Sequence, residues 1–146
     1  MDGLVEQRHV SLEHAIALLA QVAGEAEAQG LALSACVVDG GGHVVASQRM
    51  DGAALGAMRL AAGKAYTATL WGVRTGSFTE STQPGGGDWG WNTTDRRIVV
   101  YAGGVPLYAD GALVGALGAS GGTAEQDEAC VTAAATALGF TLEPAA

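Results

Sequence analysis

Apolar residues recur at helical spacing between positions 12 and 26. Leu12, Ala15, Ile16, Leu19, Ala23 and Ala26 form one stripe and predict an amphipathic helix. Ser11 stands where a side-chain oxygen can accept from the free amides of a first turn, Glu13 suits the positive end, and Gly30 can stop the helix. The period then changes. The run from Leu31 to Val38, the turn Asp39-Gly40-Gly41-Gly42 and the run from His43 to Arg49 predict a β-hairpin. Asp51 is placed to cap a second, alanine-rich helix spanning Ala53 to Trp71, which carries Lys64. A short helical piece is expected from Thr75 to Thr82. The run Gln83-Pro-Gly-Gly-Gly-Asp-Trp-Gly-Trp-Asn92 cannot hold regular structure.

Three strands are expected next, at Arg97 to Tyr101, Val105 to Tyr108 and Ala112 to Ala119, with Gly103-Gly104 and Asp110-Gly111 marking their turns. A last helix runs from Ala124 to Leu138 and stops at Gly139, and Thr123 with Gln126 has the spacing of a capping box. No repeat or linker interrupts this order. The pattern therefore reads as one domain over residues 1–146, of α/β (α+β) class, with element order α-β-β-α-β-β-β-α.

Composition sharpens the picture. A chain of 146 residues that is 49% hydrophobic can bury a core and offset the entropy of ordering. Only 5% of it is aromatic, and its 23 glycines cluster in turns, so the core is one of small side chains that lets helix and sheet approach closely. The net charge of −8, from 7 basic and 15 acidic residues, argues against nucleic acid and anionic membranes as partners. The first ten residues are polar, unlike a signal peptide, and no apolar run approaches the roughly 20 residues that span a bilayer. Cys36 and Cys130 lie in apolar segments without CxxC spacing and read as buried free thiols, which makes the cytoplasm the expected compartment.

Several stretches, taken in order, carry a resemblance. They are Val38-Asp-Gly-Gly-Gly-His-Val-Val-Ala46, Arg49-Met-Asp-Gly-Ala53, Gly63-Lys-Ala-Tyr-Thr-Ala68, Gln83-Pro-Gly-Gly86, Gly103-Gly-Val-Pro-Leu107, and Gly115-Ala-Leu-Gly-Ala-Ser-Gly-Gly122 with Glu125-Gln-Asp-Glu128. Together they cover nearly the whole chain, which resembles the GlcG/HbpS-like, or haem-degrading-domain, family and the C-terminal domain of PduO-type proteins. The resemblance implies a profilin-like, five-stranded antiparallel sheet flanked by helices, a homo-oligomer, and binding of haem or a related tetrapyrrole in some members. It implies no single activity, because fold does not fix function. Gly87-Asp-Trp-Gly-Trp-Asn92 replaces the Pro-Leu-Tyr-Gly type of run expected after the glycine pair, which points to a reshaped pocket.

The candidate chemistry gathers in two places. If the sheet has the family's order, Arg49 and Asp51 end one strand near Ser120, Gly121 and Gly122 at the end of another. The glycine amides and helix dipoles there would face a small anion. Lys64 or Arg49 would hold a carboxylate, and Lys64, Asp51 or Glu125 would move a proton on it. The plainer alternative is an Arg49–Asp51 surface pair, a snorkelling lysine and a capping box. The second place is the glycine-rich loop, where Trp89, Trp91, Asn92 and Arg96 would contact a ligand or a neighbouring subunit. His9, His14 and His43 lack metal-site spacing, so no metal site is expected from them, although a single histidine can ligate haem iron and His14 is best placed for it. Two functions follow: a small-molecule-binding protein that takes haem or a related tetrapyrrole, or an enzyme with no cofactor, an isomerase, lyase or cyclase, moving protons on a small organic acid or aromatic compound; the blander third reading is a structural oligomer with a vestigial pocket.

Overall fold

The computed structural model describes residues 2–146. Three α-helices and a four-stranded antiparallel sheet form three layers. The elements are α1 (Leu12–Ala28), β1 (Ser34–Asp39), β2 (Val44–Arg49), α2 (Ala57–Trp71), β3 (Gly104–Ala109), β4 (Ala112–Ser120) and α3 (Ala124–Ala137), with single 3₁₀ turns at Thr75–Phe78 and Trp91–Thr93. The sheet order is β2-β1-β4-β3. Helices α1 and α3 cover one face, where Leu18, Val22 and Val131 pack on Val37, Val105 and Leu117. Helix α2 covers the other, where Ala61, Ala65 and Ala68 meet Cys36, Val38 and Ala116.

The helix punctuation follows the sequence. Ser11 Oγ accepts from His14 N, and Thr123 and Gln126 form the reciprocal capping box. Gly30 (φ 68°) and Gly139 (φ 83°) close α1 and α3, with Leu31 N donating to Ala26 O and Phe140 N to Ala135 O, the backbone pattern of a Schellman end. Asp110 (φ 50°) and Gly111 (φ 76°) take the left-handed pair that a two-residue hairpin needs. Both cysteines are free and buried.

Three expectations are corrected. The sheet has four strands, not five, and the element order lacks the strand expected at Arg97 to Tyr101. That segment is irregular, with a turn at Arg97 and a bend at Tyr101, and three of its backbone groups go to threonine side chains. Val99 N donates to Thr67 Oγ1 at 2.9 Å, and Thr79 Oγ1 and Thr75 Oγ1 donate to the carbonyls of Val100 and Tyr101 at 2.7 and 2.6 Å. Helix α2 begins at Ala57 rather than Ala53, and Gly56, not Asp51, precedes it, with no side-chain cap. Asp51 lies instead in the turn that Ala53 N closes onto Met50 O. Finally, the buried face of α1 is Ala15, Leu18, Leu19, Val22 and Ala26, while Leu12 and Ile16 are more than half exposed.

The contact of α2 with the sheet depends on missing side chains. A Cβ on Gly118 of β4 would meet Ala61 O and stand 2.6 Å from Ala65 N, and one on Gly104 of β3 would stand 2.5 Å from Lys64 O. These two glycines let the helix backbone lie almost directly on the strands, as the small-residue composition suggests.

Candidate functional site

Backbone register puts Arg49, Ser34 and Ser120 in one row across β2, β1 and β4. The two strand ends expected to meet therefore share one end of the sheet, with β1 between them, so Arg49 and Ser120 are separated by two strand spacings of about 4.8 Å each. His43 lies at the opposite end, beside Asp39.

The charged groups expected to converge there are dispersed. Lys64 is only 3% exposed; its Nζ donates to Ala119 O and Asp127 Oδ2, both at 2.9 Å. It reaches α3 beneath Gly103, where a Cβ would stand 2.7 Å from Nζ. Asp127 accepts from Gly122 N through its other oxygen, and the Thr123 amide is taken by Gln126. The Gly122 and Thr123 amides thus serve the protein's own carboxylate and cap. Arg49, Asp51, Gly121 and Glu125 are exposed, and Arg49 and Asp51 form no ion pair among the described residues.

The glycine-rich loop folds onto its own chain. The Trp91 ring packs 5.5 Å from Trp71 and 4.9 Å from Phe78, while Trp89 is 66% exposed. This aromatic anchor fixes the loop, and the residues after it, Asn92 and Arg96, reach a cavity.

That cavity, of about 610 Å³, lies between the outer side of α2 and the segment Asn92–Tyr101. Met58, Leu60, Val44, Ile98 and Val99 give it apolar walls, and Arg59, Arg96 and Arg97 bring three of the chain's 7 basic residues to it. Arg97 is occupied: Asp95 accepts from its Nη2 at 2.8 Å and from its Nε at 3.1 Å, and its guanidinium lies 4.0 Å from the Tyr66 ring centroid. Hydrogen bonds from Arg97 hold the Asp95 carboxyl well below the usual range. Tyr66 Oη donates to Asp95 at 2.7 Å, and burial together with that hydrogen bond pushes the phenol above its usual range. Arg59 and Arg96 have no carboxylate partner among the described residues. Size, apolar walls and two cations without carboxylate partners among the described residues suit an apolar molecule bearing carboxylates.

A second cavity of about 300 Å³ is lined by Arg8, His9, His14 and Phe140 among others. His14 sits here, its Nδ1 3.0 Å from Ser11 Oγ and its ring edge-on to Phe140. No cluster of three or more potential metal ligands exists among the described residues.

Sequence reasoning reached the main cavity through Asn92 and Arg96. It missed Arg59, Tyr66, Asp95, Arg97 and Tyr101. The strand expected at Arg97 to Tyr101 concealed the wall, although three basic residues at positions 96, 97 and 59 in a chain with so few were a readable signal.

The profile of the family described as "Haem degrading protein HbpS-like" matches residues 10–136. An uncharacterised 15.0 kDa protein of Citrobacter freundii is 42% identical over 92 residues, 62% of this chain and 65% of that protein. The corrinoid adenosyltransferase PduO of the same organism is 37% identical over 92 residues, which span only 28% of its length. Protein GlcG of Escherichia coli is 35% identical over 111 residues, 76% of this chain and 81% of that one. Among solved structures, Klebsiella pneumoniae protein ORFY superimposes with a TM-score of 0.90 at 31% identity, covering 93% of this chain and 94% of that one. A PduOC:heme complex gives 0.88 at 29%, covering 92% and 99%. A double mutant of Streptomyces reticuli HbpS gives 0.86 at 28%, covering 95% and 93%.

Proposed function

The chain belongs to the HbpS-like family of haem-degrading proteins, and from that premise we propose that it binds haem or a closely related tetrapyrrole in the cavity between α2 and residues 92–101. The observation that carries this reading is the pairing of apolar walls with Arg59 and Arg96, the two cavity arginines without a carboxylate partner among the described residues. A haem presents a flat apolar ring and two propionates. Met58, Leu60, Ile98 and Val99 would hold the ring, and Arg59 and Arg96 the propionates by charge-assisted hydrogen bonds. The Arg97–Asp95–Tyr66 network would keep the loop wall in place and exclude water from the ring. Bound there, haem would supply a redox-active iron. A relative solved as a haem complex supports the ligand class.

Titration with haemin tests this. Saturable binding with a shifted Soret band is expected, and Arg59→Ala with Arg96→Ala should weaken it by about tenfold or more, since each 1.4 kcal/mol is tenfold. No saturable binding to the folded protein would refute the reading. Self-association is also part of the proposal: Leu55, Leu70, Trp71 and Trp89 are exposed apolar side chains that a second copy could cover. Light scattering that gave only monomers at micromolar concentration would remove that element.

A further inference from the structure

The cavity holds no imidazole. Its lining side chains with an atom able to bind haem iron are Met58, Tyr66 and Tyr101. His9 and His14 line the separate, smaller cavity, and His43 stands 3.3 Å from Asp39.

These three donors are not equivalent. Tyr66 Oη is committed to Asp95 at 2.7 Å, and its ring is covered by the Arg97 guanidinium. The Met58 thioether is a soft donor, ill matched to ferric iron as sole ligand. Tyr101 has no such commitment: its hydroxyl makes no hydrogen bond among the described residues, and the residue is 54% exposed at the cavity wall. Its backbone is nevertheless fixed. Thr75 Oγ1 donates to Tyr101 O at 2.6 Å and Thr79 Oγ1 to Val100 O at 2.7 Å, which ties this irregular segment to the turn at Thr75–Thr79. A phenol without a hydrogen bond among the described residues thus stands on a pinned backbone at the wall of a cavity whose Arg59 and Arg96 have no carboxylate partner among those residues. Once it has given up its proton to take iron, a phenol oxygen is a hard donor suited to the ferric ion.

We propose that Tyr101 is the axial ligand through which this cavity holds ferric haem, an inference that rests on the haem reading of the site. The Tyr101 hydroxyl releases its proton to solvent as its oxygen takes the open iron position, and no electron is transferred.

Haemin and metal-free protoporphyrin IX, titrated into wild type, Tyr101→Phe and Tyr66→Phe, test it. With haemin the wild type is expected to show a high-spin ferric spectrum, a phenolate-to-iron charge-transfer band and phenolate modes in resonance Raman. Tyr101→Phe should lose the band and modes and bind haemin about tenfold more weakly, while its protoporphyrin affinity stays unchanged. Tyr66→Phe, which cuts the hydrogen bond to Asp95 and is free to weaken affinity, should still show the band and modes in whatever haemin it binds. A band that persists in Tyr101→Phe, a band lost in Tyr66→Phe, or a low-spin imidazole spectrum would overturn the assignment while leaving the cavity reading intact. Failure of both porphyrins to bind wild type would refute the cavity reading and this inference with it. Tyr101 is exposed and its backbone carries the fixing contacts, so the phenylalanine variant is expected to fold.

Discussion

Lys64 Nζ lies 2.9 Å from Asp127 Oδ2, and both side chains are 3% exposed. The pair ties α2 to α3 around the end of the sheet, and Asp127 also holds the Gly122 amide. Removing one partner leaves a buried charge uncompensated, which costs about 3–5 kcal/mol. Lys64→Met and Asp127→Leu should each lower the urea midpoint sharply, and the double variant should recover much of the loss. Single variants with wild-type midpoints would show that the pair is not closed in solution.

Gly118 tests the close approach of α2. Alanine there would push against Ala61 O and Ala65 N, both backbone atoms that cannot swing aside. Gly118→Ala is expected to destabilise by about 1–3 kcal/mol, in the range of core overpacking. Gly24→Ala, on α1 with nothing within 4 Å of the added Cβ, should instead stabilise by about 0.5–1 kcal/mol through helix propensity. Equal effects of the two changes in chemical denaturation would contradict the packing described.

These two cases show what the sequence discloses. Local chemistry was legible: the Ser11 cap, the Thr123–Gln126 box, the Gly30 and Gly139 stops and the Asp110-Gly111 turn depend on neighbours within a few residues. Long-range partners were not. Asp127 lies 63 positions from Lys64, and no periodicity marks it as the partner of that lysine. The segment Arg97 to Tyr101 has the apolar run of a strand, and only the third dimension shows that three threonines take its backbone groups. The site was half legible for the same reason: Asn92 and Arg96 stand in a conspicuous loop, whereas Arg59 looks like any charge on a helix.

The two loop tryptophans should behave differently. Trp91 packs against Trp71 and Phe78, and each aromatic pair is worth about 0.5–1.5 kcal/mol beyond its buried area. Trp91→Ala should therefore destabilise by about 1–3 kcal/mol and, by freeing Asn92 and Arg96, weaken haemin binding. Trp89→Ala should leave monomer stability within about 0.5 kcal/mol. Thermal melts and haemin titrations of both single variants check this, and a reversed order of effects would contradict it.

Burial pushes the Cys36 thiol up to about 11, from an ordinary value of 9.0. Between these values the unfolded chain gives up the thiol proton while the folded one keeps it, so the unfolded state binds fewer protons and stability falls as pH rises. Below pH 9 this contribution is fully present. Urea midpoints should decline from pH 9 towards pH 11, and Cys36→Ala should show a shallower decline. A slope unchanged by the substitution would show that the thiol is not protected.

The site assignment itself is tested most directly by a crystal structure of the protein grown with haemin. The macrocycle is expected between the Met58–Leu60 side of α2 and residues Ile98–Val100, with its propionates on Arg59 and Arg96 and its iron towards Tyr101. A macrocycle bound instead beside His9 and His14, with the α2 cavity holding only solvent, would contradict it.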